Sequence, residues 1–316
     1  MRRAALYLAG YRFRATFRRN VSGYLSVVLI IGLVGGLAMA AIAGARRTQS
    51  SYPTFVASTN PSQLTMAVFS STGGGGAAPS LTSEIGHLHG VLSVRTLYAP
   101  PVVPLTKKGA PRLGTLGYVV TAGSLDGLFE DQDRLAIVRG RAANPAAINQ
   151  VTMTATAARI YGVRVGDVVP LGLYSNAQES RPGFGTPVVK PVFLIHAKVE
   201  GIAVLNSEVV QDDVDKANGF VFVTPAYLHK VLKTLPGSHT PSLYGLRLRH
   251  GVAISTMENE LVKLVPQNFA YAFHVLSRVT SQVELAVKPE SVALGAFGLI
   301  AALACLVLAA QAVARS

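Results

Sequence analysis

Two stretches of this chain show no alternation of apolar and polar positions: they are apolar throughout. Tyr24–Ala45 reads YLSVVLIIGLVGGLAMAAIAGA without a charge, and Val292–Ala314 reads VALGAFGLIAALACLVLAAQAVA in the same way. About 20 apolar residues cross the hydrocarbon core of a bilayer. A core helix of a soluble domain rarely stays apolar on every face over such a length. Both are expected to be transmembrane helices.

Between them the pattern changes to short runs of strand and helix period. Leu64–Phe69 reads as a strand, Leu81–His89 as a short helix and Val91–Tyr98 as a strand. Far downstream the same order returns, with Leu243–Leu248, an amphipathic helix Val252–Val265, and Tyr271–Leu276. Strand–helix–strand twice predicts a split α+β sheet, each half next to one span. The middle is richer in strand signals: Leu116–Thr121, Leu135–Val138, Val151–Met153, Val168–Leu173, Val192–Val204 and Phe220–Val223. A short helix over Ala155–Tyr161 leads into the turn residues Gly162, Gly166 and Asp167, and Asn176–Pro187 reads as a loop. The expected fold class is an α+β membrane protein whose two spans flank a large extracytoplasmic domain, a split α+β lobe with an inserted β-rich lobe. The expected division is 1–20 a cytoplasmic basic amphipathic helix, 21–45 a span, 46–290 the outer domain with its β-rich lobe at about 115–240, 291–314 a span, and 315–316 a cytoplasmic end.

Charge fixes the expected orientation. The chain carries 29 Lys and Arg against 16 Asp and Glu, a net +13. Arg2, Arg3, Arg12, Arg14, Arg18 and Arg19 precede the first span with no acid among them, whereas only Arg46 and Arg47 closely follow it. The positive-inside rule then places the amino terminus in the cytoplasm and the middle of the chain outside. Arginine gathered at a membrane flank is not a nucleic-acid-binding stripe, so no nucleic-acid partner is expected. Leu6, Gly10, Phe13 and Phe17 fall on one helical face. They predict an amphipathic helix on the inner leaflet, with membrane lipid as its partner.

Small residues recur every four positions in the first span, at Gly32, Gly36, Ala40 and Gly44. Such a stripe lets helix backbones approach closely and marks a candidate helix–helix interface. The other span offers Gly298 and Ala302 at the same spacing.

Residues in arrangements that carry reaction chemistry are few. Gly73–Gly76 are four consecutive glycines, but no Lys-Ser or Lys-Thr follows, so they form no phosphate-binding P-loop. His87 and His89 lack further metal ligands. Glu208, Asp212, Asp213 and Asp215 lack the spacing of a calcium loop. Cys305, the one cysteine, stands in an apolar run and can form no disulfide within the chain. No enzyme, no cofactor and no metal site is expected.

Four stretches carry a family resemblance: RRNVSGYLSVVLIIGLVGGLAMAAIAGARRTQSSYPTF (18–55), VRGRAANPAAINQVTMTATAARIYGVRVGDVVPL (138–171), VEGIAVLNSEVVQDD (199–213) and VKPESVALGAFGLIAALACLVLAAQAVAR (287–315). The stretch at 138–171 is similar to a G-R-x-x-x-P … A-x-x-x-G-x-x-x-G-D core segment. Together the four resemble the amino-terminal part of FtsX-like, MacB-type ABC-transporter permeases, in the long form common in actinobacteria. The resemblance implies a cytoplasmic ABC ATPase subunit as partner, which binds the ATP that this chain does not. It implies coupling by mechanotransmission to the outer domain; the family's main ATPase contact lies in the segment after the second span, so here docking is expected to be weak and to rest on the membrane-flank arginines Arg12, Arg14, Arg18 and Arg19. Family permeases continue with further spans after the second, so the sequence is expected to be a fragment, a truncated gene product, or a half completed by a second permease chain that supplies them. The alternative is a membrane-anchored regulator that binds and activates an extracellular cell-wall hydrolase.

Overall fold

A computed structural model describes residues 21–70, 80–115, 117–206, 219–235 and 241–314. The predicted amphipathic helix with Arg12, Arg14, Arg18 and Arg19, the Gly73–Gly76 run and the acidic cluster from Glu208 to Asp215 lie outside these residues. Two compact units are present. The helical segments up to Thr54 and from Ser281 form one, and Phe55–Thr280 forms the other.

The first unit is an antiparallel pair of helices. Helix α1 covers Val21–Ser58, and the last helix of the chain covers Leu276–Ala314. Both continue well beyond the apolar runs seen in the sequence. Both are long and apolar enough to cross a membrane. Their apolar side chains are turned outward: Leu29, Leu33 and Met39 on the first and Leu299, Ile300 and Leu306 on the other are all more than half exposed. Helices buried in a soluble core would not present such faces.

The second unit holds two sheets. In chain order its elements are β1 (Leu64–Ser70), α2 (Thr82–His87), β2 (Val91–Tyr98), β3 (Val102–Pro104), β4 (Val119–Ala122), β5 (Ala136–Gly140), β6 (Gln150–Thr154), α3 (Ala155–Tyr161), β7 (Val168–Leu173), α4 (Asn176–Glu179), β8 (Phe193–Val204), β9 (Gly219–Val223), α5 (Pro225–Thr234), β10 (Pro241–Leu248), α6 (Ile254–Leu264) and β11 (Phe269–Val275), which passes into α7 (Leu276–Ala314).

The four-stranded sheet has the order β11-β1-β10-β2, antiparallel throughout. It is built from the two strand–helix–strand units, β1-α2-β2 and β10-α6-β11, arranged as a split βαβ. Its core consists of Leu64, Met66 and Val68 from β1, Tyr244 and Leu246 from β10, Ile85 from α2, and Met257 and Leu261 from α6. Alternation explains the choice: Leu64, Met66 and Val68 share one strand face, and that face is buried.

The other sheet is inserted between β2 and β10. Its order is β3-β7-β8-β6-β9-β4, with β5 pairing the far end of β8. Strand β8 is its axis. Ile195, Ala197 and Val199 point into the core, while Leu194, His196 and Lys198 point out. Helix α3 is capped at both ends. The Thr154 hydroxyl accepts from Ala157 N at 3.3 Å, and Gly162 takes the left-handed conformation that stops the helix.

Several further features depart from the sequence reading. Asn176–Pro187 is not all loop, because α4 forms one turn there over Asn176–Glu179, with the Gln178 side chain accepting from Ser175 N at 2.9 Å. Strand β4 starts at Val119 rather than at Leu116, behind a 3-10 turn over Leu113–Thr115. Helix α5 and strand β3 have no counterpart in the expected elements. The α5 signal was present as Thr224-Pro225, a side-chain cap followed by proline at the first helical position.

Candidate functional site

The segment Gly123–Leu135 joins β4 to β5 and reads GSLDGLFEDQDRL. It is dense in residues that bond their own backbone. The Ser124 hydroxyl accepts from Leu128 N at 3.0 Å and donates to Asp126 Oδ1 at 2.8 Å. The Gly127 carbonyl accepts from Asp131 N at 2.8 Å. Phe129 N donates to the Gln132 carbonyl at 2.7 Å.

This loop ties three parts of the second unit together. Towards the end of α1, Arg134 N donates to the Thr59 carbonyl at 2.8 Å and Asp133 N to the Asn60 carbonyl at 3.1 Å. The Asn60 amide donates to the Asp131 carbonyl at 2.7 Å. Asp133 accepts from Ser62 N at 2.9 Å and from the Ser62 hydroxyl. Towards the four-stranded sheet, the buried Gln132 amide donates to Ser62 Oγ at 2.8 Å and to the Gly245 carbonyl of β10 at 3.0 Å. Asp126 accepts from Thr96 N at 2.9 Å and from Thr96 Oγ1 at 2.7 Å on β2. Towards the inserted sheet, the Asn206 amide donates to Asp133 Oδ1 at 3.1 Å. Leu128 is buried with Leu97, Ala122, Leu205 and Phe222, and the Phe129 ring lies 4.7 Å from that of Phe222.

Backbone strain concentrates at this joint. Among the described residues, the non-glycine positions with positive φ are Asn60 at 49°, Phe129 at 73° and Asp133 at 50°. Asparagine and aspartate tolerate this region, but a bulky residue such as phenylalanine rarely adopts it. Such conformations persist where the surroundings over-determine them, as the contacts above do.

Beside the loop lies a cleft of about 410 Å³. Phe129, Leu135, Ile137, Phe222 and Pro225 line it, with Glu130 and Arg134 among the polar groups. Burial, helped by the charge of Asp131, pushes the Glu130 carboxyl above the usual carboxylate range. Two further carboxylates of the joint, Asp126 and Asp133, are occupied as acceptors. Among the described residues no three His, Cys, Asp or Glu are grouped so as to hold a metal ion.

The G-R-x-x-x-P … G-D segment is scaffolding for the inserted sheet. Gly140, at φ 72°, lies against the Glu200 carbonyl where a Cβ would clash. Arg141 Nε meets the buried Glu200 carboxylate at 3.1 Å, and Lys198 meets its other oxygen at 2.9 Å. The hydrogen bond from Lys198 is the main reason the Glu200 carboxyl is held below its ordinary range; burial opposes it and Arg141 assists. The Pro145 carbonyl accepts from Ala226 N, and the Asp167 carboxylate from Arg164 N.

In the helical unit, the helices meet along a heptad-spaced seam. Ala38, Ala41, Ala45, Tyr52 and Val56 are the buried apolar positions of α1. Opposite them, Gly298 packs so closely that an added Cβ would lie 2.8 Å from Ile42 and 3.2 Å from the Ala38 carbonyl. Cys305 Sγ donates to the Ile31 carbonyl at 3.4 Å, and Gln49 bonds Ser291 at 3.1 Å. The stripe singled out in the sequence lies off this seam. Gly32, Gly36 and Gly44 have open space where a Cβ would stand, and Ala40 is exposed. The seam itself was legible only as a seven-residue spacing among alanines, which an alanine-rich span conceals.

No family model matches this chain, and no curated protein matches it. Solved structures do. One is the extracellular domain of the noncanonic ABC-type transporter YknZ from Gram-positive bacteria, 12% identical, covering 66% of this chain and 99% of that one, with a TM-score of 0.36. Another is a domain of a protein assigned as a permease in Porphyromonas gingivalis, 12% identical, covering 68% of this chain and 91% of that one, with a TM-score of 0.35. The chain itself is an α+β protein in which two helices able to cross a membrane flank a β-rich domain of two sheets.

Proposed function

We propose that this chain is a transmembrane component of an ABC transporter, with its β-rich domain outside the cell and its amino terminus in the cytoplasm. In this reading a separate cytoplasmic ATPase drives movement of the two helices, and the outer domain works on a substrate or partner. The observation that carries it is the continuity between helix and sheet. Strand β11 ends at Val275 and α7 begins at Leu276, with no connecting residue. At the other end, Thr59 to Ser62 lead from α1 straight into the bonded joint. A helix displaced along its axis would pull on strands rather than on a slack linker. The short resemblances at residues 18–55, 138–171, 199–213 and 287–315 point the same way.

The arginines at 12, 14, 18 and 19 are proposed to meet anionic lipid and the ATPase. The Gly32, Gly36, Ala40 and Gly44 stripe is proposed to meet a span of another permease chain, since it lies off the seam within this one. The reading is tested by co-expression with an ABC ATPase encoded beside this gene. Co-purification of the two, and an ATPase rate altered by this chain, are the expected results. Nucleotide hydrolysis by the purified chain alone would overturn it.

A further inference from the structure

We propose that the helical hairpin holds the headgroup of a phospholipid bearing a primary amine, seated between α1 and α7. The proposal needs the helices to span a bilayer and needs nothing else from the transporter reading.

A cavity of about 330 Å³ opens between the helices, lined by residues from Thr48 to Pro53 and from Val283 to Ser291. That size suits a small polar group rather than a whole lipid. Its level is set by the sequence. The uncharged run of α1 ends at Ala45 and that of α7 begins at Val292, so the cavity starts where each run meets charge. This is the headgroup layer, where tyrosine and lysine are favoured.

Three observations point to a ligand there. Tyr52 is only 7% exposed, and its hydroxyl has no hydrogen-bond partner among the described residues. Buried tyrosine hydroxyls are normally partnered, and this one lines the cavity. Both helices carry a proline at this level, Pro53 and Pro289. Proline gives no N–H to the carbonyl four residues earlier, so the carbonyl of Gln49, which lines the cavity, loses its regular helical donor. Lastly, Glu284 and Lys288, both exposed, stand one turn apart on α7 at the mouth of the cavity, and neither forms an ion pair with a described residue.

Those groups match one headgroup chemistry. Lysine supplies a point charge for a phosphate, the tyrosine hydroxyl can donate to the same phosphate, and the glutamate accepts from an ammonium. Phosphoethanolamine presents both partners. A choline headgroup has no N–H to donate to Glu284, and a glycerol headgroup has no cation.

The test uses the full chain reconstituted in bilayers of phosphatidylethanolamine, phosphatidylcholine and phosphatidylglycerol in equal parts, then extracted and analysed by native mass spectrometry. Phosphatidylethanolamine is expected to be retained over each of the others by at least about fivefold. Tyr52→Phe keeps the ring and is expected to lower retention severalfold with unchanged helix content. Glu284→Gln is expected to abolish the preference over phosphatidylcholine, and Lys288→Gln to lower retention of all three lipids. Equal retention of the lipids by the wild-type chain, or full retention by Tyr52→Phe, would overturn the proposal. Displacement by soluble phosphoethanolamine with no lipid retained would also overturn it, assigning the site to a soluble ligand.

Discussion

Phe129 holds its backbone in a conformation that costs a phenylalanine about 1–3 kcal/mol. Its ring offsets that by packing on Phe222. Removing the ring in two ways separates these effects. Phe129→Ala loses the packing and keeps the strain, whereas Phe129→Gly loses the packing and relieves the strain. The glycine variant is expected to be the more stable by about 1 kcal/mol, the reverse of their usual order. Urea unfolding of both variants measures it, and an alanine variant as stable as the glycine one would mean the loop relaxes. Asp133 is a different case. Asp133→Ala leaves three donors on Ser62 and Asn206 without their acceptor. A loss of about 2–3 kcal/mol is expected in the same measurement.

Glu200 gives the residue scale its pH dependence. Its carboxyl is held below the ordinary range in the folded chain, chiefly by Lys198. A depressed carboxylate stabilises the fold above its unfolded value of about 4.3, and that contribution disappears as pH falls through the lower folded value. The stability difference between the wild-type chain and Glu200→Gln is therefore expected to be constant near neutrality and to shrink below about pH 4. A gap that stays constant through the acid range would show that the Lys198 and Arg141 contacts do not depend on the charge.

At the scale of elements, the helix pair and the helix–strand continuity each make a prediction. Gly298→Leu forces a side chain into Ile42 and the Ala38 carbonyl, so the α1–α7 pair should separate, at a cost of about 1 kcal/mol or more. Gly36→Leu has open space around it and should leave this pair intact. Crosslinking by a short bismaleimide between cysteines placed at positions 49 and 291, whose native side chains touch, reads the difference in a chain with Cys305→Ala. If Gly36→Leu alone weakens association with another permease chain, its stripe has that role. Inserting Gly-Gly-Ser between Val275 and Leu276 should leave the β-rich domain folded yet remove any effect of this chain on a partner ATPase. Coupling that survives the insertion would argue against transmission through α7.

Much of this level was legible in the sequence, and the exceptions have physical causes. The strands of both strand–helix–strand units follow from clean alternation, as in Leu64, Met66 and Val68. The ends of the long helices were not legible. Residues 46–58 and 276–291 are polar enough to resemble a domain, so no apolar run marks them as continuations of the spans. The joint was invisible for a related reason. Its Ser, Asp, Asn and Gly residues are ordinary turn formers, and only the pairing of Ser62, Thr96, Asp126, Asp133 and Gly245 across distant parts of the chain gives them a role.

For the whole molecule, the proposed orientation is open to a labelling experiment. In a Cys305→Ala chain, Val188→Cys stands on an exposed position, 82% accessible. A membrane-impermeant maleimide should label it in intact cells and should label Gly10→Cys only after permeabilisation. The opposite pattern would invert the orientation and separate the chain from the transport role.

The strand order β11-β1-β10-β2 also dictates a timetable for synthesis. Strand β1 is made early, yet both of its neighbours, β10 and β11, emerge only after the whole inserted sheet. Two edges of β1 therefore wait unpaired while β3 to β9 appear and close on one another. Contacts so distant in sequence form slowly, and an open apolar strand edge invites wrong pairing meanwhile. The inserted sheet should accordingly mature first, with β1 and β2 left as its dependants. The four-stranded sheet can close only once β11 has emerged, with α7 following on its heels at the membrane. In the proposed orientation, a chain arrested before β10 would be half folded and sticky outside the cell, the species that quality-control proteases in that compartment should find first.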